Sequence, residues 1–84
     1  MSPDQRFVYI LKSTTHVDRC YTGLTSNLAW RLTAHNEGLS KHTASGRPWS
    51  VVVVIEYADS AKAESFEAYL KSGSGRAFAR RHFR

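Results

Sequence analysis

The chain has 84 residues, of which 42% are hydrophobic and 23% are charged, so it is expected to form one small domain over residues 1–84. This length excludes a dinucleotide-binding fold with a separate substrate domain and a barrel of eight βα units. Twelve Lys and Arg against seven Asp and Glu give a formal charge of +5, which is typical of proteins that bind a polyanion such as nucleic acid.

Three features of the sequence bear on the compartment. Cys20 is the single cysteine, which excludes an intramolecular disulfide and a cysteine-rich zinc site. The longest apolar run, Val51 to Ile55, is too short for a transmembrane helix, so no membrane partner is expected. Residues Met1 to Gln5 contain no apolar segment of the kind found in secretory signals. These features predict a cytoplasmic protein.

The first two elements are predicted to be strands of a hairpin. Arg6 to Lys12 is apolar on both faces, which indicates a central strand, and a short polar segment separates it from a second strand over Arg19 to Leu24. If residues 9 and 21 pair across the hairpin, Tyr9 and Tyr21 are near neighbours. Gly23 either admits a close approach to the backbone or marks a bulge.

A helix is predicted to follow the hairpin, from about Asn27 to Glu37. Thr25 or Ser26 can provide the N-cap, and Gly38 is suited to the position just after the last turn. Leu39 to Trp49 is rich in Ser, Thr, Gly and Pro, which indicates a loop.

The second half is predicted to contain one strand and two helices. Ser50 to Tyr57 has the composition of a third strand, and Asp59 or Ser60 can cap a helix from about Ala61 to Lys71.

A Ser-Gly-Ser-Gly segment at residues 72–75 is expected to interrupt the chain before the last element. Arg76 to Arg84 contains four Arg and no acid, which indicates a short basic helix with Phe78 as its apolar anchor. The element order is therefore β-β-α-β-α-α. This order predicts a small α/β sandwich, with a mostly antiparallel three-stranded sheet flanked by helices.

Some polar residues fall close to the predicted apolar faces of the helices. At helical periodicity, Arg31 and His35 lie one turn apart on the shoulder of the stripe formed by Leu28 and Leu32. One interpretation is structural: a snorkelling Arg and a His satisfied within the core. The other interpretation is that both side chains point toward a functional site.

The second helix carries an acid near its apolar stripe. Glu67 lies closer to this stripe than Glu64, so it is the acid expected to be partly buried. A half-buried carboxylate needs a cation, which could be Arg31, Lys71 or a metal ion.

In chain order, these residues form a pattern that resembles the GIY-YIG nuclease family, and in particular its small stand-alone members. The two motifs correspond to Phe7-Val8-Tyr9, in place of Gly-Ile-Tyr, and Tyr21-Thr22-Gly23, in place of Tyr-Ile-Gly. Arg31, His35 and Glu67 follow at matching positions, and Phe66 to Phe78 is similar to a segment that recurs among the small members. The resemblance covers essentially the whole chain.

The resemblance implies a metal-dependent phosphodiesterase that cleaves DNA. Tyr9 or Tyr21 would act as the general base or position the attacking water, and Arg31 would stabilise the transition state. Glu67 would hold one divalent ion, Mg²⁺ or Mn²⁺, against the phosphate and the 3′ leaving oxygen. His35 would orient the water or a phosphate.

The substrate is expected to be recognised by its shape. Branched, flapped or damaged DNA is the predicted substrate, with a role in repair or recombination, and RNA is an alternative. A protein partner or a homodimer is compatible with so small a domain. The residues expected to contact nucleic acid are Gly23, Lys41, His42, Arg47, Lys71, Arg76, Arg80 and Arg81.

Other functions remain to be weighed against this one. A non-catalytic nucleic-acid-binding module would keep the charge but have no need of Glu67, and a protein–protein adaptor would need neither Arg31 nor Glu67. Zinc binding by Cys20, His35 and His42 is disfavoured because their spacing matches no common site. Serine hydrolysis is also disfavoured, because the Gly-Ser-Gly segment lacks the nucleophile-elbow pattern.

Overall fold

The sheet consists of β1 (Phe7–Ser13), β2 (Cys20–Thr25) and β3 (Trp49–Glu56) in the computed structural model, which describes residues 4–83. β1 lies between the other two strands and is antiparallel to both. The side chains of residues 8–11 are all buried. The predicted antiparallel sheet and its central, doubly covered strand are thus confirmed.

The register of the hairpin differs from the expected one by two residues. Tyr9 is paired with Gly23, and Leu11 with Tyr21, so the predicted pairing of residues 9 and 21 is wrong. The turn explains the shift: the Ser13 amide donates to the Arg19 carbonyl, which extends β1 to Ser13 and closes the loop later than expected. Because the side-chain period of a strand is two, the shift leaves both tyrosines on the same face.

The first helix, α1 (Leu28–Asn36), is capped one residue after Ser26 and two after Thr25, the predicted candidates. The Asn27 side chain accepts the backbone N–H three residues ahead, so Asn27 is the N-cap in place of Thr25 or Ser26. The Thr25 hydroxyl instead accepts the Asn27 amide. Gly38 follows the last turn with a φ of 77°, the left-handed conformation that glycine adopts most easily, as predicted.

The last helix, α3 (Gly73–His82), begins three residues before the predicted start at Arg76. The Ser72 side chain caps it by accepting the amide of Gly75. A β-carbon on Gly75 would overlap the Tyr69 carbonyl, so glycine lets α3 start directly against the preceding helix. The Ser-Gly-Ser-Gly segment is therefore a cap and first turn. Arg84 lies outside the described residues.

The remaining helix, α2 (Ser60–Leu70), is capped by Asp59 as predicted and packs with α3 on one face of the sheet. The core on that face is formed by Val8, Ile10, Ala63, Leu70 and Ala79. The opposite face is covered by α1 and the loop that follows it, around Tyr9, Leu11, Trp49, Leu28 and Leu32. The element order β-β-α-β-α-α is confirmed. None of the helices within residues 4–83 combines the length and apolarity that a bilayer crossing requires.

Candidate active site

The Tyr9 phenol occupies a space that Gly23 leaves open. Tyr9 is buried on β1, and its ring lies against Gly23, its partner on β2, where a β-carbon would overlap the end of the phenol ring. The sequence predicted a close approach to the Gly23 backbone, and the group that approaches is Tyr9. Gly23 itself is buried, so its expected contact with nucleic acid stays a prediction that this geometry does not favour.

Gly23→Ala is expected to destabilise the protein and to displace the Tyr9 ring. Overpacking of this kind costs about 1–3 kcal/mol, which urea unfolding followed by circular dichroism would measure. Gly73→Ala is the matched control, because a β-carbon there meets no atom within 4 Å. Equal unfolding midpoints for the Gly23→Ala variant and the wild type would contradict this role of Gly23.

His35 holds the Tyr9 hydroxyl from inside the core. The side chain has no exposed surface; its Nε2 lies 2.9 Å from the Tyr9 hydroxyl, and its Nδ1 lies 2.7 Å from the Thr43 hydroxyl. Both ring nitrogens are therefore occupied by protein groups. The two interpretations of His35 turn out to be compatible, since it is a satisfied core histidine that also binds a motif tyrosine.

Thr43 and Trp49 complete this network, and the sequence analysis did not single them out. Thr43 is fully buried, and the Trp49 indole N–H donates to its carbonyl at a distance of 2.8 Å. Both belong to the segment predicted only as a loop ending in a strand. Their roles depend on how that loop folds back onto α1, and no local signal in the sequence gives that path.

The environment of His35 favours its neutral form. Burial lowers the pKa of His35 below its ordinary value of 6.5, and the positive charge of Arg31 lowers it further. A neutral imidazole has one donor and one acceptor nitrogen, and each adjacent hydroxyl can take the complementary role. His35 can therefore exchange a hydrogen bond with Tyr9 without adding a second positive charge to the site.

The same shift predicts acid-sensitive stability. Because the pKa of His35 is lower in the folded state, its neutral form contributes stability that is complete above pH 6.5 and is lost as the pH falls through the folded-state pKa. The difference in unfolding free energy between the wild type and His35→Gln should therefore shrink as the pH is lowered below 6.5. His82→Gln, at an exposed position on α3, is the control. A difference that stays constant with pH would rule this linkage out.

Arg31 lies next to the hydroxyls of both motif tyrosines. Burial raises the pKa of Tyr9 above its ordinary value of 10.0, and the neighbouring Arg31 guanidinium partly opposes this effect. The pKa of Arg31 is itself raised, chiefly by Tyr9 and to a smaller extent by Tyr21. Because the shift of Tyr9 is upward overall, its phenol is protonated at neutral pH. This environment therefore favours a protonated Tyr9, which relays a proton or orients water, over a Tyr9 that is permanently ionised.

Tyr21 forms the third side of the cluster. The centroid of its ring lies 4.8 Å from that of His35 and 6.3 Å from that of Tyr9. Tyr21 is partly exposed, whereas Tyr9 is buried, so Tyr21 is the motif tyrosine that solvent can reach directly.

Glu67 lies on α2, which packs against the sheet face opposite to that of the cluster, and its negative charge acts on Tyr9. Its side chain is 17% exposed, as expected for a partly buried acid, and its negative charge contributes to the raised pKa of Tyr9. The carboxylate is paired with Lys71, one turn further along α2, at 2.5 Å. Of the two ion pairs that the sequence left open, the structure shows the one with Lys71.

Glu67 could bind a magnesium ion only as a site with a single carboxylate. Within residues 4–83, no group of three or more His, Cys, Asp and Glu side chains lies close enough together to bind a metal. Mg²⁺, however, is commonly held by one or two carboxylates, with waters and substrate phosphates completing the shell. Glu67 can provide such a one-carboxylate site if Lys71 releases it.

The basic residues predicted to contact nucleic acid form two groups. One group lies in the loop after α1, where the Arg47 side chain covers Gly38 and donates from Nε to the Ala44 carbonyl at 2.7 Å. The other lies at the end of α2 and along α3. All of these side chains are exposed, and the two groups are Lys41, His42 and Arg47, and Lys71, Arg76, Arg80 and Arg81.

Comparison with known proteins identifies the family to which this chain belongs. The family model of the GIY-YIG catalytic domain matches residues 5–81. The chain is also 38% identical over 66 residues to UPF0213 protein CPE1444 of Clostridium perfringens (strain 13 / Type A), an alignment that covers 77% of this chain and 69% of the relative. No solved structure matches the chain significantly. The protein therefore belongs to the GIY-YIG family, whose members are typically nucleases.

Proposed function

We propose that the protein is a metal-dependent endonuclease that hydrolyses phosphodiester bonds in DNA and selects its substrate by structure. One observation carries this proposal: the Tyr9 hydroxyl is hydrogen-bonded to buried His35 and lies next to the Arg31 guanidinium. A pure binding surface has no need of a buried tyrosine held between an imidazole and a guanidinium. Phosphodiester hydrolysis needs both proton transfer and stabilisation of the phosphoryl charge.

In the proposed reaction, the two tyrosines and His35 handle the proton of the attacking water. Tyr21 is accessible to solvent and can take a proton from this water as its own hydroxyl proton passes to bulk solvent, while the Tyr9 hydroxyl, held by neutral His35, orients the water. His35 touches no solvent, so it acts on the water only through Tyr9 and is a positioning residue. Its hydrogen bond to Thr43 fixes the orientation of the ring.

Two residues are proposed to stabilise the negative charge of the reacting phosphate: Arg31 directly and Glu67 through a metal ion. Arg31 is partly exposed and can donate two hydrogen bonds to phosphoryl oxygens through its planar fork. Glu67 would hold the divalent ion, which supplies Lewis-acid stabilisation of the phosphate and of the 3′ leaving oxygen when bound. Lys71, released from Glu67 at that point, becomes free to contact an adjacent phosphate.

A cleavage assay on a panel of nucleic acids tests the proposal. Flapped, forked, four-way-branched, nicked and intact duplex DNA, with matching RNA strands, would be incubated with the purified protein and Mg²⁺ or Mn²⁺. Cleavage of a branched or flapped DNA that EDTA abolishes is the expected result. The absence of cleavage on every member of the panel with both metals would contradict the proposal.

One observation favours a second candidate, a non-catalytic module that binds nucleic acid on the same fold. The ion pair with Lys71 neutralises Glu67, the carboxylate that would hold the metal ion. A module of this kind would bind the panel with salt-sensitive affinity and cleave none of it, and alanine at Glu67 would leave binding unchanged or stronger.

A further inference from the structure

A groove runs along the seam between β2 and α3, outside the catalytic cluster. It consists of two adjoining cavities, of about 340 Å³ and about 490 Å³. Cys20 lines both of them and so marks their junction. The first cavity is also lined by Lys71 and Arg76, and the second by Lys12 and Arg80.

The charge of the groove is strongly positive. Four basic side chains line it, against the single carboxylate of Asp18. Arg76 and Arg80 are one turn apart on α3, so they lie on the same side of the helix with a rise of about 6 Å between them. This rise is close to the separation of successive phosphates in an extended strand. Arg81 lines a different cavity, with Phe78 and His82, and does not face the seam.

The groove begins at the catalytic cluster. Tyr21 lines the first cavity, and its ring is the neighbour of Tyr9 and His35. Lys71 lines the same cavity and is paired with Glu67. The groove therefore adjoins the cluster at Tyr21 and adjoins Glu67 through Lys71.

We propose that this seam binds the phosphate backbone of one nucleic-acid strand as it leaves the active site, with Lys71, Arg76 and Arg80 contacting successive phosphates. The proposal rests on the proposed nuclease function and refines it. A single strand is indicated because Arg76 and Arg80 form one row along one face of α3, with Lys71 ahead of it at the end of α2, whereas a duplex would need a second row at the spacing of its other backbone. Lys41 and Arg47, in the loop after α1, would then contact a different part of the substrate.

The single cysteine gives a direct test, because it lies at the junction of the two cavities and is partly exposed. The rate of Cys20 alkylation by a maleimide would be measured in EDTA, with and without saturating single-stranded oligothymidylate. The expected result is strong protection of Cys20 in the wild type and in Arg81→Ala, and loss of protection in Arg76→Ala/Arg80→Ala. Equal alkylation rates with and without bound oligonucleotide would overturn the proposal.

The salt dependence of binding to the same oligonucleotide, measured by fluorescence anisotropy, provides a second readout. Each phosphate contact on a single strand contributes about −0.7 to the slope of log K against log salt, so Arg76→Ala/Arg80→Ala should lower its magnitude by about 1.4. Lys62→Ala removes an exposed cation of α2 that lines neither cavity, so it should leave the slope unchanged. Equal slopes for Lys62→Ala and Arg76→Ala/Arg80→Ala would overturn the proposal. Because no metal is present, binding and cleavage are tested separately. A protein that protects Cys20 as described but cleaves no substrate would contradict the nuclease function while supporting the seam.

Discussion

Arg31→Ala should reduce single-turnover cleavage by about 1,000-fold, because the guanidinium that stabilises the phosphoryl charge is removed. Arg31→Lys should recover only part of the loss, since an ammonium keeps the charge but not the planar two-donor fork. The side chain is partly exposed on α1 and is not part of either buried core, so the thermal midpoint should change little. Cleavage of the best substrate, with enzyme in excess, is the measurement.

Arg47→Ala is the matched control for Arg31. It removes an arginine of the same charge from an exposed loop, where its side chain donates to a backbone carbonyl away from the tyrosines. This variant should bind substrate more weakly and cleave bound substrate at the normal rate. If Arg31→Ala and Arg47→Ala lowered the cleavage rate of bound substrate equally, Arg31 would only contact a phosphate and would not stabilise the transition state.

The second large effect is expected at Glu67. Glu67→Gln should lower Mg²⁺-dependent cleavage by at least about 100-fold, and Glu67→Ala by at least as much, because the carboxylate proposed to hold the metal ion is neutralised or removed. The unfolding free energy should fall by less than about 1 kcal/mol, since the ion pair with Lys71 has one largely exposed partner. The measurements are cleavage rates across a Mg²⁺ titration and urea unfolding of the same samples.

Glu64→Gln is the control for Glu67, as it removes the same charge from an exposed position on α2. It should leave the cleavage rate and its Mg²⁺ dependence unchanged. Full activity in both Glu67 variants would exclude a metal-binding role for this residue. If Glu67→Gln and Glu64→Gln lowered the cleavage rate equally, the effect would come from the change in net charge alone.

Much of the fold could be predicted because the sequence pattern is locally consistent. The alternation of Tyr9 and Leu11 against Val8 and Ile10 predicts a strand covered on both faces, and the two clusters of buried residues divide along that alternation. The register could not be predicted, because it is set by how Ser13 closes the turn and not by the strand composition. The start of α3 was missed because glycines that ordinarily interrupt a helix here form its first turn.

The residues of the candidate site could be predicted from the sequence, but the hydrogen bonds that join them could not. Helical periodicity placed Arg31 and His35 on one shoulder of α1 and Glu67 near the apolar stripe of α2. The hairpin brought the two tyrosines together, and the resemblance to a known family joined all of these residues into one site. That His35 is buried between Tyr9 and Thr43 depends on the path of the loop after α1, which brings Thr43 back under the helix. Long-range contacts of this kind leave no periodic trace in the sequence.

Single-turnover cleavage in ¹⁸O-labelled water shows whether this cluster drives the attack of water on a phosphodiester bond. The expected products carry a 3′-hydroxyl and a 5′-phosphate, with one ¹⁸O atom in that phosphate and no adduct between protein and nucleic acid. Unlabelled phosphate, label in a 3′-phosphate, a phosphotyrosyl adduct, or no cleavage at all would contradict this mechanism.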